Sequence, residues 1–499
     1  MTDLLLINGN IRTQDPARPR VRSVACTGGR IESLDETPPA RRILDLEGRT
    51  AIPGIIDPHA HLLAYGRQKR ELDLTGVTNF DDLVRRVVDG ARAKPPGNWI
   101  TGSGYELPVH PHHAALSAST PDHPVWLVRK DAHSGLANAR AMALADFSSV
   151  PPGGQVLRDQ GVFLEAAQGM ISRLVPVESP AAAFLLAQRD AMQYGITAVH
   201  DARVDEDYLR LLTSLDEGRS LRLRVHAMFW HEDPARLIDF MRSRKPSTGR
   251  LSVRAIKLFM DGSLGSSTAW MTQPYLGTES CGRSTLPPAE AERICRVALE
   301  TGWQVCAHAI GDRAIRELLD VFDRVDPPDS ARWRIEHAQH VHADDLPRFA
   351  RWIASVQPSH CVADREMVER RLGPGRYEGC YAWKSLGRLA LGTDAPVDRL
   401  DPRWTFHCAV TREGWRPEHC LSPEAALAGM TSGAAWAGFQ EGGVLAPGRP
   451  ADLAVLSEDW LASPGTVMSS EVAATVMDGK VGYQSERWRR GPAGKPASA

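Results

Sequence analysis

Pro53-Gly54-Ile55-Ile56-Asp57-Pro58-His59-Ala60-His61 is an apolar run that ends in two histidines one residue apart. In an extended strand, side chains at i and i+2 share a face. His59 and His61 therefore project side by side from the end of a buried strand, a geometry suited to chelating a metal. The spacing alone is weak evidence, because His110-Pro111-His112 and His340-Val341-His342 repeat it. Its weight depends on whether later strands deliver matching ligands.

Downstream, apolar strand-like runs alternate with helical patterns, as in successive βα units. After residues 53–61 come runs at 196–201, 221–230, 253–261, 304–308, 333–337, 354–358 and 389–394. That makes eight, the number that closes a (β/α)8 TIM-type barrel, so the expected fold class is α/β. The gap at about residues 66–185 is too long for one crossover. It carries its own helix (80–94), strands (99–105 and 124–129) and a second helix (137–144), and reads as a subdomain inserted after the first strand. Residues 3–8, 22–26, 30–33 and 43–45 look like short strands joined by Asn-Gly, Gly-Gly and Glu-Gly turns. Residues 448–456 and 472–481 have the same character. The N-terminal stretch is too short to close a core alone, so the expectation is one small β-sandwich built from residues 1–52 and 441–486, flanking a barrel at 53–440. The polar stretch 487–499 reads as a disordered tail.

Composition excludes several classes. Hydrophobic residues make up 42% of the 499, enough for a sizeable core. The formal net charge is -2 with both signs interspersed, which invites neither nucleic acid nor an anionic membrane. No apolar run approaches the roughly 18–20 residues of a membrane span. The start, Met1-Thr2-Asp3-Leu4-Leu5-Leu6, has an early acid and too short an apolar run for a signal peptide. Eight scattered cysteines without a CxxC suit a reduced, cytoplasmic protein. The expected partner is a small-molecule substrate, and a homo-oligomer is left open.

In a barrel, catalytic groups sit at the C-terminal ends of strands. His59 and His61 end the first, Lys257 lies inside the fourth, and His308, His337 and Asp394 end the fifth, sixth and eighth. Singly, each histidine has a bland reading as a hydrogen-bonded core residue, and a strand-end Asp often caps the next helix. Lys257 has no such comfort, since burying an ammonium costs several kcal/mol unless it is paired or neutralised. One metal site explains all six residues together.

The whole set resembles the amidohydrolase superfamily, and within it the type-three amidohydrolases, which include N-substituted formamide deformylase-like enzymes. The resemblance rests on the 53–61 run, on Lys257 followed by Asp261-Gly262, and on His308-Ala309-Ile310-Gly311-Asp312. It extends to Glu336-His337-Ala338-Gln339, Gly392-Thr393-Asp394-Ala395-Pro396 and Pro447-Gly448-Arg449-Pro450-Ala451-Asp452-Leu453. The resemblance implies a binuclear centre. His59, His61 and Asp394 would hold the more buried metal and His308 and His337 the second. Lys257, carboxylated by CO2, would bridge them. Some relatives bridge with Cys or Glu, and some bind one metal. Imidazole and carboxylate donors suit zinc and also other divalent ions. Such a metal lowers the pKa of bound water from about 15.7 to roughly 7. The hydroxide would attack a carbonyl, with Asp394 passing the proton to the leaving amine.

Three further residues are candidate substrate contacts. His133, in a segment where the family places a His and an Asn (here Asn138) near substrate, also reads as an ordinary polar residue before a helix. Glu165 resembles a family segment facing the pocket, and equally a first-turn helix acid. His360 follows the seventh strand at the rim by strand count, where it would contact substrate or an oxyanion; the bland reading is a solvated loop histidine. His200 and Trp230 end strands two and three and are candidates to line the pocket, whereas His110, His112 and His113 and the run Glu369-Arg370-Arg371 read as solvated surface. The expected activity is hydrolysis of a carbon–nitrogen bond other than a peptide bond, in an N-acyl or N-formyl amine or small amide. A mononuclear heterocycle deaminase ranks lower, because such relatives carry a glutamate acid after the strand-five histidine, where Ala309-Ile310-Gly311-Asp312 stands here. A non-catalytic scaffold ranks last, because no ligand is missing.

Overall fold

The run that ends in His59 is the first strand of an eight-stranded parallel sheet. In the computed structural model, residues 1–489 are described apart from 108, 110, 130–133, 153, 177–178, 374 and 377–378. The sheet contains β1 (Ile55–Ala60), β2 (Ile196–Val204), β3 (Arg224–Phe229), β4 (Leu251–Phe259), β5 (Gln304–Ala309), β6 (Arg334–His337), β7 (Ile353–Val356) and β8 (Arg388–Leu391). Each strand pairs with the next in chain order. Every residue of β1, β6 and β7 is buried. Strands covered on both faces read as continuous apolar runs rather than alternating ones.

The sequence explains the helices that follow these strands. Pro288–Thr301 begins with proline in its first turn and ends at Gly302, whose φ of 79° suits a residue without a Cβ. Asp312–Val325 buries Ile315, Leu318, Leu319 and Phe322, a stripe at helical spacing. Asp205 and Asp233 cap the helices Glu206–Glu217 and Pro234–Ser243 by accepting backbone N–H bonds.

Among the described residues, β8 and β1 share no strand ladder, and the sheet is nearly closed by bonds just past their ends. The Asp394 N–H donates to His59 O at 2.7 Å, and the His61 N–H to Ala395 O at 2.7 Å. Thr393 donates its N–H to Asp57 Oδ1 at 3.1 Å and its hydroxyl to Oδ2 at 2.6 Å. Gly392 allows this approach: a Cβ there would stand 2.8 Å from Asp57 Oδ1 and 2.9 Å from His59 N.

The two chain ends build two sheets. One has the order Arg30–Leu34, Val24–Thr27, Thr2–Ile7, Ala40–Asp45. The other runs Lys480–Gln484, Val472–Met477, Leu453–Leu456, Thr50–Pro53, Asn10–Arg12, Arg20–Val21. Leu4, Leu6 and Val24 of the first share an apolar cluster with Ile11, Ala51, Leu453 and Val476 of the second. Residues 487–489, expected in the tail, are helical as part of Glu486–Arg489, and Trp488 is buried in that cluster beneath the Arg49 guanidinium. The rest of the expected tail lies outside the described residues. All eight cysteines are free. No helix among the described residues is long and apolar enough to cross a membrane.

The chain divides into two compact units, Met1–Leu62 with Gln188–Ala499, and Leu63–Ala187. The second has its own six-stranded sheet, in the order Gly154–Leu157, Val162–Glu165, Ser134–Ala137, Val125–Arg129, Ile100–Tyr105, Leu72–Asp73. Helix Phe80–Arg92, capped by Asn79, contributes Leu83 and Val87 to a core with Ile100, Val125 and Leu127. The helix expected over 137–144 is shorter. Ser134–Ala137 instead pairs antiparallel with Val125–Arg129, and only Ala139–Met142 is helical. Asn138 fixes the switch: its carboxamide accepts from Val125 N and Ala141 N and donates to Thr120 Oγ1 and His123 O. That buried carboxamide is fully committed to structure.

Because no space exists for a Cβ at position 392, Gly392→Ala is expected to destabilise the protein by about 1–3 kcal/mol, the usual range for an overpacked site. Thermal unfolding checks it; an unchanged midpoint would contradict the tight β8–β1 closure.

Candidate metal centre

The alternation of β1 places Asp57, His59 and His61 on one face. Asp57, held by Thr393, also accepts the His59 N–H at 3.2 Å and so fixes the backbone that carries both histidines. The two rings are then oriented from behind. His59 donates through Nδ1 to Glu336 Oε2 at 2.5 Å, and His61 through Nδ1 to Ala202 O at 2.6 Å. Their Nε2 atoms lie 3.6 and 3.2 Å from Asp394 Oδ1. His337 donates through Nδ1 to Gln357 Oε1 at 2.8 Å. A metal-binding histidine is ordinarily oriented in this way by a partner on its other nitrogen.

Two backbone conformations bring the remaining groups in. His337 has φ 73° and Asp394 φ 58°, both left-handed values that non-glycine residues seldom adopt. In regular strand geometry Glu336 and His337 would face opposite ways; here both reach His59. The His337 ring lies 4.8 Å from that of His59 and 4.5 Å from that of His308. Donor atoms of His59, His337 and Asp394 all fall within 4.8 Å of one another. This trio draws on both halves of the expected ligand set. His308 donates through Nε2 to Gly262 O at 3.0 Å, which leaves Nδ1 as its remaining ligand atom.

Lys257 is 1% exposed, and its Nζ lies 3.5 Å from His59 Nε2. Among the described residues no carboxylate stands within ion-pair distance of it. Burial lowers its pKa, although Glu336 and Asp394 pull the other way. Three of the histidines are kept neutral. Burial, then the Lys257 charge, pushes His59 down to about 4 and His308 to about 3, and burial with neighbouring His308 and His59 holds His337 well below the usual range. For Asp394, burial acts to raise the pKa but is outweighed by the surrounding imidazoles of His61, His59, His337 and His360, so its carboxyl stays well below the usual range. Neutral imidazoles around an ionised carboxylate are a donor set for a divalent cation.

The arrangement passes a further test of fit. Asp394 Oδ1 and His360 Nε2 are buried without a hydrogen-bond partner among the described residues. Such groups cost roughly 1–3 kcal/mol each when nothing satisfies them. A cation beside Asp394 Oδ1 would satisfy that oxygen.

His360 is not a solvated loop residue. It sits in helix Pro358–Ala363, is 8% exposed, and its Nε2 lies 3.9 Å from Asp394 Oδ2. Its ring is parallel to that of His337, 6.3 Å away. Glu165 belongs to the second unit, where it ends strand Val162–Glu165 with an exposed side chain and φ 49°, rather than opening a helical first turn. His133 lies outside the described residues, as does His110. His200 does not line a pocket: it is fully buried and accepts from Arg334 Nη1 at 2.7 Å.

Sequence reasoning gave no role to Arg334 or Glu336. Both are fully buried, and the Arg334 guanidinium grips both Glu336 oxygens, at 2.8 and 3.1 Å. It also donates to Pro58 O at 2.6 Å and Ser355 Oγ at 2.7 Å. The available signal was Arg-x-Glu in a strand covered on both faces, where a charge pair needs a structural reason.

Comparison with known proteins fits this fold and site. The sequence model of the amidohydrolase family matches residues 42–483, so the chain belongs to that family, whose members include enzymes that hydrolyse carbon–nitrogen bonds. It is 31% identical to Protein LONG AFTER FAR-RED 3 of Arabidopsis thaliana, over 97% of this chain and 92% of that protein. It is 25% identical to N-substituted formamide deformylase of Arthrobacter pascens, over 97% and 99%. The crystal structure of an uncharacterized metal-dependent hydrolase from Pyrococcus furiosus matches with a TM-score of 0.77 at 28% identity, covering 92% of this chain and 99% of that one. The chain is a type-three amidohydrolase, an enzyme acting on carbon–nitrogen bonds.

Removing the Glu336 charge should loosen the ring it orients. Glu336→Gln is expected to weaken metal binding about 10–100-fold, the usual effect of losing such a partner. Chelator competition measures it; unchanged affinity would show that His59 needs no such support.

Proposed function

We propose that this protein hydrolyses the carbon–nitrogen bond of an N-acyl or N-formyl amine, or of a small amide other than a peptide, at a divalent metal centre. The observation that carries the reading is the convergence of neutral His59 and His337 on Asp394, whose Oδ1 is buried and has no hydrogen-bond partner among the described residues. The relative named N-substituted formamide deformylase supports the substrate class.

His59, His61, His308, His337 and Asp394 would hold the metal, with zinc the ion that imidazole and carboxylate donors suit best. Lys257 is the candidate bridge. Its burial, with no carboxylate at ion-pair distance among the described residues, favours the neutral amine, the form that reacts with CO2, and the resulting carbamate would be an anionic donor. When bound, the metal supplies Lewis-acid polarisation of a carbonyl and a water that ionises near neutral pH.

The chain's own groups do the rest. Asp394, held ionised, takes a proton at a carboxylate oxygen and returns it to the departing nitrogen. His360, whose Nε2 lies 3.9 Å from Asp394 Oδ2, would donate to the substrate oxygen. His133 and Glu165 are assigned to substrate contact on the family resemblance alone.

A mononuclear centre is the second reading. It is favoured by the tight trio His59, His337 and Asp394, the one such group among the described residues, and by His308 Nε2 turned to Gly262 O. Metal counting separates the two, at two equivalents per chain against one.

A screen of N-formyl and N-acyl amines, carbamates, cyclic amides and lactones with metal-loaded protein tests the activity, and turnover of lactones alone would overturn the assignment. Asp394→Asn is expected to lower kcat by about 10²–10⁴-fold, the scale of lost acid–base catalysis; near-normal turnover would remove Asp394 from the reaction. Lys257→Ala should lose metal and activity, with activity partly restored by added short carboxylic acids. Full metal content in that variant would exclude a bridging role.

A further inference from the structure

A cavity of about 350 Å³ opens beside Lys257, at the mouth ends of β3 and β4. Trp230, Phe259, Leu237, Leu286 and Ile294 line it. It adjoins the metal centre: the Phe259 ring lies 5.4 Å from that of His308 and 5.1 Å from Lys257 Nζ. Trp230 and Phe259 stand perpendicular, with centroids 6.3 Å apart.

The wall is braced by an irregularity in β2. Ala202 pairs with Met228 and Val204 with Phe229, so Arg203 is an extra residue, a β-bulge. Its φ is 69°, a conformation that L-residues rarely adopt. Bulges of this kind re-aim a side chain, and here the Arg203 guanidinium stacks on Trp230 at 4.3 Å. Arg203 and Glu232, both lining the cavity, have opposite charges, so neither an anion nor a cation is favoured by the rim as a whole.

We propose that this cavity is the specificity pocket of the enzyme, taking a flat, uncharged apolar ring carried next to the scissile carbon–nitrogen bond, with Arg203 holding Trp230 as its wall. The proposal rests on the hydrolase reading for the bond that is cut, but the pocket itself can be tested without turnover. A buried ring of this size is worth about ten- to a hundredfold in affinity or kcat/KM.

The kinetic experiment compares N-acetyl-2-phenylethylamine with N-acetylethylamine, and N-ethylphenylacetamide with N-ethylacetamide, so that the ring is offered on either side of the bond. Wild type is expected to favour the ring-bearing member of one pair at least tenfold in kcat/KM. Trp230→Ala should bring that ratio to about one, Trp230→Phe should restore most of it, and Arg203→Ala, an exposed position that does not endanger folding, should narrow it. A parallel calorimetric titration uses 2-phenylethylamine and phenylacetate as ligands. Binding of one of them by wild type, weakened at least fivefold in Trp230→Ala or Arg203→Ala, supports the pocket even if no amide is cut, an outcome that would overturn only the hydrolase reading. Equal kcat/KM within both pairs, a ratio that survives Trp230→Ala, or no difference between wild type and variants in binding either ligand would overturn it.

Discussion

The buried ion pair between Arg334 and Glu336 is the constraint on which the centre depends. Both side chains are fully buried inside the sheet. One guanidinium satisfies both oxygens of Glu336, the Pro58 carbonyl, Ser355 and His200, and so ties β6 to β1, β7 and β2. The remaining capacity of Glu336 goes to His59 Nδ1. Burying two charges is expensive, and breaking such a pair by removing one partner typically costs about 3–5 kcal/mol. Here the pair also does something a hydrophobic replacement would not: it sets which nitrogen of His59 faces the centre.

Around that anchor the centre is assembled by a series of fixed choices rather than by one flexible cluster. The Ala202 carbonyl sets the His61 ring and the Gln357 amide sets His337. Asp57 and Thr393 lock the crossing from β8 to β1 on which Asp394 rides. The left-handed backbone at His337 and Asp394 is the conformational cost of pointing them inward, and residues held so are commonly found where surrounding structure over-determines them. Burial then keeps His59 and His337 neutral, and the Asp394 carboxyl is held well below its usual range, so that the donor set is ready for a cation at neutral pH.

Much of this was legible in the sequence, for definite reasons. Continuous apolar runs of strand length, separated by helical patterns, mark a parallel sheet with both faces covered, and the strand-end rule then located His59, His61, His308, His337 and Asp394. What escaped were features that depend on three-dimensional closure. Strand alternation places Glu336 and His337 on opposite faces, and no sequence signal announces the φ of 73° that brings His337 around. Arg334 and Gln357 look like ordinary polar residues until their partners on other strands are known. His360 read equally as a rim contact or a solvated loop residue because it follows a strand run ending at Pro358, yet that proline occupies the first turn of a short buried helix. Residues 137–144 are alanine-rich and helix-prone, but hairpin pairing with Val125–Arg129 takes Ala137 and leaves only four residues helical.

The central claim is that His59, His337 and Asp394 share a metal ion within the barrel mouth. An anomalous-difference map from crystals of zinc-loaded protein, recorded on both sides of the zinc absorption edge, tests it most directly. The account predicts a peak within bonding distance of all three side chains, present above the edge and lost below it. A map with zinc elsewhere on the protein and none between these residues would contradict it.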